Sequence, residues 1–294
     1  MKKSEPVKEE QAAEESGLAE RKLAESASVE CKLTESTLAE TDEQIKASGQ
    51  TKANEPVKGV KSVSGNNLVS EDNCGFPVRD VVLFDLDGTV LDTHDAILDS
   101  MRYATQTVLH KTIPDEVLVA EVGQPLVTQM RMLAPDEETA QELLVTYRAR
   151  NENDLNQKTE PFAGIEELVK TLNEEGYTVA VVTSKRESLA TTSLKAFGMY
   201  QLFARVNGME SSTGHKPDPD PLIQAAKDLG VALERCIYIG DSPFDIQAAH
   251  AAALPCIGVT WGGFFGKDVL AAESPTLLVD TMDELYTAIK SLTI

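Results

Sequence analysis

The stretch VVLFDLDGTV at residues 81–90 decides the fold. Its opening residues are apolar on consecutive positions, which is typical of a strand covered on both faces of a sheet, and we predict a strand over 81–87. Comparable apolar runs recur at 178–183, 202–206, 236–240 and 256–260. Amphipathic stretches that predict helices lie at 164–175, 186–197, 219–229 and 243–253. Because strands and helices alternate, the sequence predicts an α/β fold with a doubly wound parallel sheet, a Rossmann-like core.

Residues 93–160 interrupt this alternation. They carry amphipathic segments that predict helices at 94–110, 114–122, 125–133 and 136–150, and they have no strand pattern. We therefore predict an inserted all-helical cap over 93–160, with the α/β core built from 73–92 and 161–294. Since doubly wound folds bind ligands outside the carboxyl ends of their strands, we expect the cap to lie over that edge of the sheet.

Residues 1–72 differ from the rest in composition. They contain no aromatic residue and are dominated by Glu, Lys, Ser and Ala. Such a segment buries too little apolar surface to offset its conformational entropy. We expect an acidic, low-complexity, disordered tail. An arm that binds a partner is the alternative, and no residue in the segment identifies that partner.

Charge and composition exclude several classes of protein. The formal net charge of −21 argues against a nucleic-acid-binding protein, because phosphate backbones are bound by surplus Lys and Arg. No apolar run is long enough for a membrane helix, and no apolar stretch follows the first lysines as in a secretory signal. The four cysteines are too widely spaced to indicate a disulfide scaffold or a zinc cluster. We expect a cytoplasmic protein.

Four motifs contain the candidate catalytic and ligand-binding residues. Each lies at or beyond the carboxyl end of a predicted strand: Asp85 and Asp87, Thr183 and Ser184, Lys216 in the loop SSTGHKPDPDP, and Asp241 and Asp245. Each motif alone has an ordinary interpretation, as an acidic turn, a helix cap, a solvated lysine or a capping box. The parallel sheet, however, brings all four to one crevice.

The four aspartates would crowd together in that crevice, and carboxylates so close resist being ionised together. A divalent cation with oxygen ligands relieves the repulsion, and Mg²⁺ is the usual one where a phosphate completes the coordination. Hydroxyl groups at a strand end and a lysine held in a stiff loop are suited to bind that phosphate. The sequence therefore predicts a Mg²⁺ site that binds a phosphorylated compound.

These motifs resemble those of the haloacid-dehalogenase-like hydrolase superfamily, in the phosphoglycolate-phosphatase-like branch with a helical cap. The resemblance covers about residues 79–292 and excludes the tail. The family motifs are matched by DLDGT at 85–89, Thr183, Lys216, and the pair Asp241 and Asp245. The stretch VTWGG at 259–263 also looks like this branch.

The resemblance implies a two-step hydrolysis. Asp85 attacks phosphorus and becomes an aspartyl phosphate, and Asp87 protonates the leaving group and later activates water. Lys216 and Thr183, with Ser184 beside them, are expected to bind the phosphoryl group.

The resemblance also implies a Mg²⁺ site. The ligands would be Asp85, the backbone carbonyl of Asp87, and Asp241. Asp245 is expected to orient the waters of the metal or the Lys216 side chain instead of binding the metal.

The substrate and the reaction type stay open at this point. A small phosphorylated metabolite is expected, with phosphoglycolate first and inorganic pyrophosphate second, and a sugar-phosphate mutase has the same motifs. The turn at 123–126 resembles the substrate-facing turn of the cap in this branch, and Arg102, Lys111 and Arg131 are candidates to meet an anionic group or to lie on a solvated helix face. A non-catalytic scaffold that works through its acidic tail is disfavoured, because the complete motif set is present.

Overall fold

The computed structural model describes residues 79–154 and 158–293. The predicted tail at 1–72, with Cys31, and the core residues 73–78, with Cys74, lie outside this part of the chain. Cys236 and Cys256 are free and buried. Among the described residues, no helix has both the length and the apolar character needed to cross a membrane.

A parallel six-stranded sheet forms the core, with strand order β5-β4-β1-β6-β7-β8. The strands are β1 (Val81–Phe84), β4 (Thr178–Val182), β5 (Arg205–Asn207), β6 (Cys236–Gly240), β7 (Cys256–Val259) and β8 (Leu277–Val279). β1 lies between β4 and β6, with Val81 paired to Thr178 on one side and to Cys236 on the other. The strands that follow β1 are added first on one side of it, as β4 and β5, and then on the other, as β6, β7 and β8. At such a switch point a crevice opens at the carboxyl ends of β4, β1 and β6. The predicted doubly wound sheet is confirmed.

Helices cover both faces of the sheet, which explains the consecutive apolar residues. Val82 and Phe84 face a layer built from α5 (Ile165–Glu174), α6 (Glu187–Ala196) and α10 (Met282–Leu292). Val81 and Leu83 face α7 (Asp220–Leu229), α8 (Pro243–Ala251) and α9 (Lys267–Ala272) on the opposite side. Successive side chains of a strand point to opposite faces, so both must be apolar in a sheet buried on two sides.

The insertion after β1 is helical, as expected. It consists of α1 (His94–Leu109), α2 (Asp115–Leu118), α3 (Leu126–Leu133) and α4 (Glu137–Asp154), which we call the cap helices. They have their own apolar cluster, in which Met101, Met130 and Leu143 are fully buried. Where the chain leaves and re-enters the core, β2 (Leu91–Asp92) and β3 (Glu160–Pro161) pair antiparallel. The sequence pattern does not predict this short pair.

Several predicted elements have wrong bounds. The strand expected at 81–87 ends at Phe84, and the helix expected at 136–150 continues to Asp154. The strand expected at 202–206 starts only at Arg205, because residues 200–202 form a 3₁₀ turn and ladder pairing to β4 begins with Arg205 opposite Ala180. Phe203 is buried without belonging to the strand. The helix expected at 114–122 ends at Leu118. Beyond it the chain turns towards Gly123, whose φ of 108° lies outside the range of a helix.

Candidate active site

The carboxyl end of β1 places Asp85 at the base of the crevice. The backbone N–H of Asp85 still donates to Ile239 of β6 at 2.8 Å, so the position of this residue is fixed by the sheet. The chain then turns through Gly88, which has a φ of 80°. A Cβ atom at Gly88 would lie 2.1 Å from a carboxylate oxygen of Asp241, so only glycine allows the turn to approach the end of β6 this closely.

Lys216 joins the separate motifs into one network. Its ammonium group is almost fully buried and donates to Asp85 Oδ1 at 2.8 Å, to Asp245 Oδ1 at 2.7 Å and to the Tyr238 hydroxyl at 3.0 Å. All three of its protons therefore have an acceptor. Burial alone would lower the pKa of Lys216, but the carboxylates of Asp245 and Asp85 raise it on balance, so the lysine is charged.

Asp245 starts helix α8 and holds Lys216 at the same time. One carboxylate oxygen accepts from Lys216 and from Tyr238, and the other accepts from the backbone N–H and the hydroxyl of Ser242, at 3.0 and 2.6 Å. The capping box expected from the sequence is present. Because four donors already use both oxygens, Asp245 has little capacity left to bind a metal directly.

Asp241 lies at the end of β6 beside the β1 turn. Thr89 donates its hydroxyl proton to Asp241 Oδ1 at 3.0 Å, across 152 residues of sequence. Gly262 approaches the same carboxylate so closely that a Cβ atom there would lie 2.0 Å from it. The preceding Trp261 donates its indole N–H to the carbonyl of Thr89 at 3.2 Å. The VTWGG stretch thus supports the β1 turn and Asp241.

The residues present fit a divalent cation. Asp85, Asp241 and Asp245 each offer a carboxylate oxygen within 4.8 Å of the others, and all three are buried. Burial raises the pKa of Asp85 to about 7, although the positive charge of Lys216 opposes this shift. The pKa of Asp241 is raised well above its usual value, mainly by burial and further by the neighbouring carboxylates of Asp245 and Asp85. Three carboxylates against one ammonium group carry excess negative charge, which a cation with oxygen ligands would neutralise. Asp85 and Asp241 are the two whose oxygens are least used.

Asp87 points elsewhere. Its Oδ1 accepts from the ammonium group of Lys185 at 2.7 Å, in a pair that is largely buried. Lys185 directly follows the predicted pair Thr183 and Ser184, and its backbone N–H donates to Thr183 Oγ1 at 3.2 Å. Reasoning from the sequence missed Lys185, although its place just after a strand end was a usable signal.

Thr183 and Ser184 have different surroundings. Thr183 is buried and lines the cavity next to Asp85. Ser184 donates its hydroxyl proton to the carbonyl of Gly123 in the cap turn at 2.6 Å. A Cβ atom at Gly123 would lie 2.6 Å from Ser242 Oγ, so this turn docks closely on the core. The contact favours a role for Ser184 in holding the cap turn, and its role in binding phosphate stays a prediction.

A cavity of about 100 Å³ lies between the motif residues and the cap helices. The core side supplies Asp85, Asp87, Asp241 and the segment 183–186, and the cap side supplies residues such as Gln124, Gln129, Tyr147, Arg148 and Asn151. The volume is far below the roughly 300–1,000 Å³ of sites for drug-sized ligands. This cavity suits a small molecule.

The turn at 123–126 lines this cavity, as expected, through Gly123, Gln124 and Leu126, whereas the three basic cap residues proposed from the sequence lie outside its lining. Arg131 pairs with Glu137 at 2.8 Å and Arg102 donates to Asp115 at 2.9 Å, both on exposed surface. Lys111 is exposed as well. Arg102 and Arg131 follow the alternative of a solvated helix face, and Lys111 lies in the exposed loop between α1 and α2. Reasoning from the sequence missed Arg148, because it is one of many polar residues on α4 and is not part of the buried apolar stripe of that helix, which is formed by Ala140, Leu143, Leu144 and Tyr147.

The chain is similar to known proteins over most of the described residues. Residues 82–259 match the family model described as haloacid dehalogenase-like hydrolase. A PpaX protein of Caldanaerobacter subterraneus subsp. tengcongensis is 35% identical over 209 residues, which cover 71% of this chain and 94% of the relative. The pyrophosphatase PpaX of Halalkalibacterium halodurans is 31% identical over 204 residues, covering 69% of this chain and 94% of the relative.

Two further proteins extend the comparison. The phosphoglycolate phosphatase of Xanthomonas campestris is 31% identical over 221 residues, covering 70% of this chain and 94% of the relative. The crystal structure of a predicted phosphatase from Clostridium acetobutylicum superimposes with a TM-score of 0.66 at 29% identity, and the match covers 73% of this chain and all of that one.

Proposed function

Since this chain belongs to the haloacid dehalogenase-like hydrolases, we propose that it hydrolyses a small phosphate compound through a phosphorylated Asp85, with Mg²⁺ bound between Asp85 and Asp241. The helices of 93–160 act as the cap over this site. One observation carries the proposal: the ammonium group of Lys216 binds both Asp85 and Asp245, and Asp241 lies beside them. Lys216 and Asp85 are 131 residues apart in the sequence, so the fold brings them together.

Asp85 is the nucleophile in this proposal. Lys216 holds one of its oxygens, so the carboxylate has a fixed direction towards the cavity. The other oxygen attacks phosphorus as the bond from phosphorus to the leaving oxygen breaks, and water then attacks phosphorus and releases Asp85. When bound, Mg²⁺ supplies the positive charge that lets an anionic carboxylate approach an anionic phosphate.

The other residues supply charge, position and proton transfer. Thr183 at the cavity wall binds an oxygen of the transferring phosphoryl group. Lys216, which Asp245 keeps in place, binds another by exchanging one of its hydrogen bonds within the core for one to the phosphoryl group. Asp87, held by Lys185 at the cavity wall, protonates the leaving group when that group needs a proton, and accepts a proton from the water in the second step.

Pyrophosphate is the substrate we place first. The sequence alone favoured phosphoglycolate, whereas the similar proteins named above include pyrophosphatases. Pyrophosphate is small enough for a cavity of about 100 Å³. Phosphoglycolate is the second candidate, supported by the phosphoglycolate phosphatase of Xanthomonas campestris.

The test is phosphate release by the purified chain with Mg²⁺. Pyrophosphate, 2-phosphoglycolate, a hexose phosphate and p-nitrophenyl phosphate are compared at equal concentration. We expect the highest kcat/KM for pyrophosphate, and phosphate release that stops when Mg²⁺ is chelated and returns when it is restored. Release from none of the four compounds would contradict the proposed function.

A further inference from the structure

Arg148 stands apart among the basic side chains that line the cavity. Lys185 is paired with Asp87, and Arg186 is paired with Glu152 of α4 at 3.0 Å. Within 79–154 and 158–293, Arg148 has neither a hydrogen bond nor an ion pair. A cationic side chain in a cavity wall without a partner is available to a ligand.

The charges around Arg148 indicate an anion. Burial lowers the pKa of Arg148, and the guanidinium of Arg186 lowers it further, while Glu152 and Glu210 act in the opposite direction. Two guanidinium groups that repel each other at a cavity wall are stabilised by an anion between or beside them. A guanidinium also presents donors in a planar fork that matches a phosphate or carboxylate group.

The position of Arg148 selects which part of the substrate it meets. Asp85 lines the cavity from the core side, where the proposed function places the transferred phosphoryl group, whereas Arg148 lines it from cap helix α4. A substrate held at both ends therefore directs its leaving group to the cap side. Arg102 and Arg131 cannot replace Arg148 there, because both are paired with surface carboxylates outside the cavity lining.

We propose that Arg148 binds the distal anionic group of the substrate and so makes the enzyme selective for phosphate compounds whose leaving group is itself an anion. This inference rests on the proposed function and narrows its substrate class. The distal group is the second phosphate of pyrophosphate or a carboxylate such as that of phosphoglycolate.

Kinetics with two kinds of substrate test the proposal. In Arg148→Met, which removes the charge and keeps most of the volume, kcat/KM for pyrophosphate or 2-phosphoglycolate falls about 10- to 100-fold, mainly through KM. For p-nitrophenyl phosphate, whose leaving group has no second anionic group, kcat/KM changes less than about threefold. Arg148→Lys recovers part of the loss, since charge returns without the fork. An equal loss for both kinds of substrate, or no loss for either, overturns the proposal.

Arg131→Met is the matched control, because Arg131 is a cap arginine whose partner is Glu137 on the surface. We expect it to behave as the unmodified protein with every substrate. Circular dichroism of both variants shows whether the cap helices remain folded.

Binding without turnover separates this inference from the proposed function. Calorimetry with Mg²⁺ compares methylenediphosphonate, phosphonoacetate and methylphosphonate, which carry a distal phosphonate, a distal carboxylate and no distal anion. Arg148→Met should weaken the first or the second but not the third, and the one weakened more identifies the distal group. If no phosphate compound is hydrolysed but this pattern appears, the proposed function fails and the role of Arg148 stands. If the unmodified protein binds all three equally, the role of Arg148 is wrong.

Discussion

On the core side of the cavity, Lys216 donates all three of its protons, and both oxygens of Asp245 accept two hydrogen bonds each. On the cap side, and within the part of the chain that the structure describes, the side-chain amide oxygen Oε1 of Gln129 is buried without a hydrogen-bond partner, and Arg148 has no ion pair. The core network is complete before any substrate arrives, whereas the cap side still has polar groups to satisfy. This difference supports the proposal that the residues at the strand ends carry the chemistry and that the cap selects the substrate.

The sharpest test of the core side is Asp85→Asn. We expect phosphate release to fall at least about 10³-fold, because an amide is not a nucleophile towards phosphorus. The circular dichroism spectrum should not change, since the amide has the shape of the carboxylate. Asp268→Asn, at an exposed aspartate of α9, is the control and should retain full activity. Substantial residual release by Asp85→Asn would contradict the assignment of the nucleophile.

Lys216→Met tests whether the buried network stabilises the fold. The change leaves Asp85 and Asp245 facing each other without a cation, and breaking a buried ion pair costs about 3–5 kcal/mol. We expect a lower free energy of unfolding in urea without Mg²⁺, and partial recovery when Mg²⁺ is added. Lys267→Met removes an exposed pair with Asp280 and should cost about 1 kcal/mol or less. Equal costs for the two variants would show that the buried network adds no stability of its own.

Measurements of Mg²⁺ affinity distinguish the proposed roles of Asp87 and Asp241, which both lie beside Gly88. Asp241→Asn should weaken binding about 100-fold in calorimetry, since a charged ligand is lost. Asp87→Asn should change the affinity only a few-fold, because the side chain of Asp87 pairs with Lys185 and only its backbone carbonyl is proposed as a ligand. A loss in Asp87→Asn as large as that in Asp241→Asn would disprove this division.

The smallest effect concerns the contact between core and cap. Ser184→Ala removes the hydrogen bond to the Gly123 carbonyl, worth about 1 kcal/mol. We expect KM to rise about fivefold with kcat nearly unchanged. Ser291→Ala removes a hydroxyl that bonds within α10 and should have no effect on KM. If kcat falls in Ser184→Ala and KM does not change, Ser184 acts on the phosphoryl group instead, as the sequence predicted.

Much of the core could be predicted because its signals are local. Fully buried parallel strands must be apolar on both faces, so VVLF and CIYIG are visible as runs. The late elements α9, β8 and α10 were missed, since Leu277–Val279 is an edge strand only partly buried and too short to stand out. The pairs Lys185 with Asp87 and Ser184 with Gly123 join residues 98 and 61 positions apart, and no local pattern reveals them.

The sequence by itself determined the parallel α/β core and the helical insertion, because both depend on short-range periodicity. It also determined the set of acidic, hydroxyl and lysine residues at the strand ends, because a parallel sheet must bring those ends together. Only the tertiary structure decided what each side chain contacts. It turned Asp245 towards Lys216 and Ser242, turned Asp87 towards Lys185, and exposed Arg131 while lining the cavity with Arg148. Side-chain partners depend on the packing of the cap against the sheet, and that packing is set by contacts between residues distant in sequence.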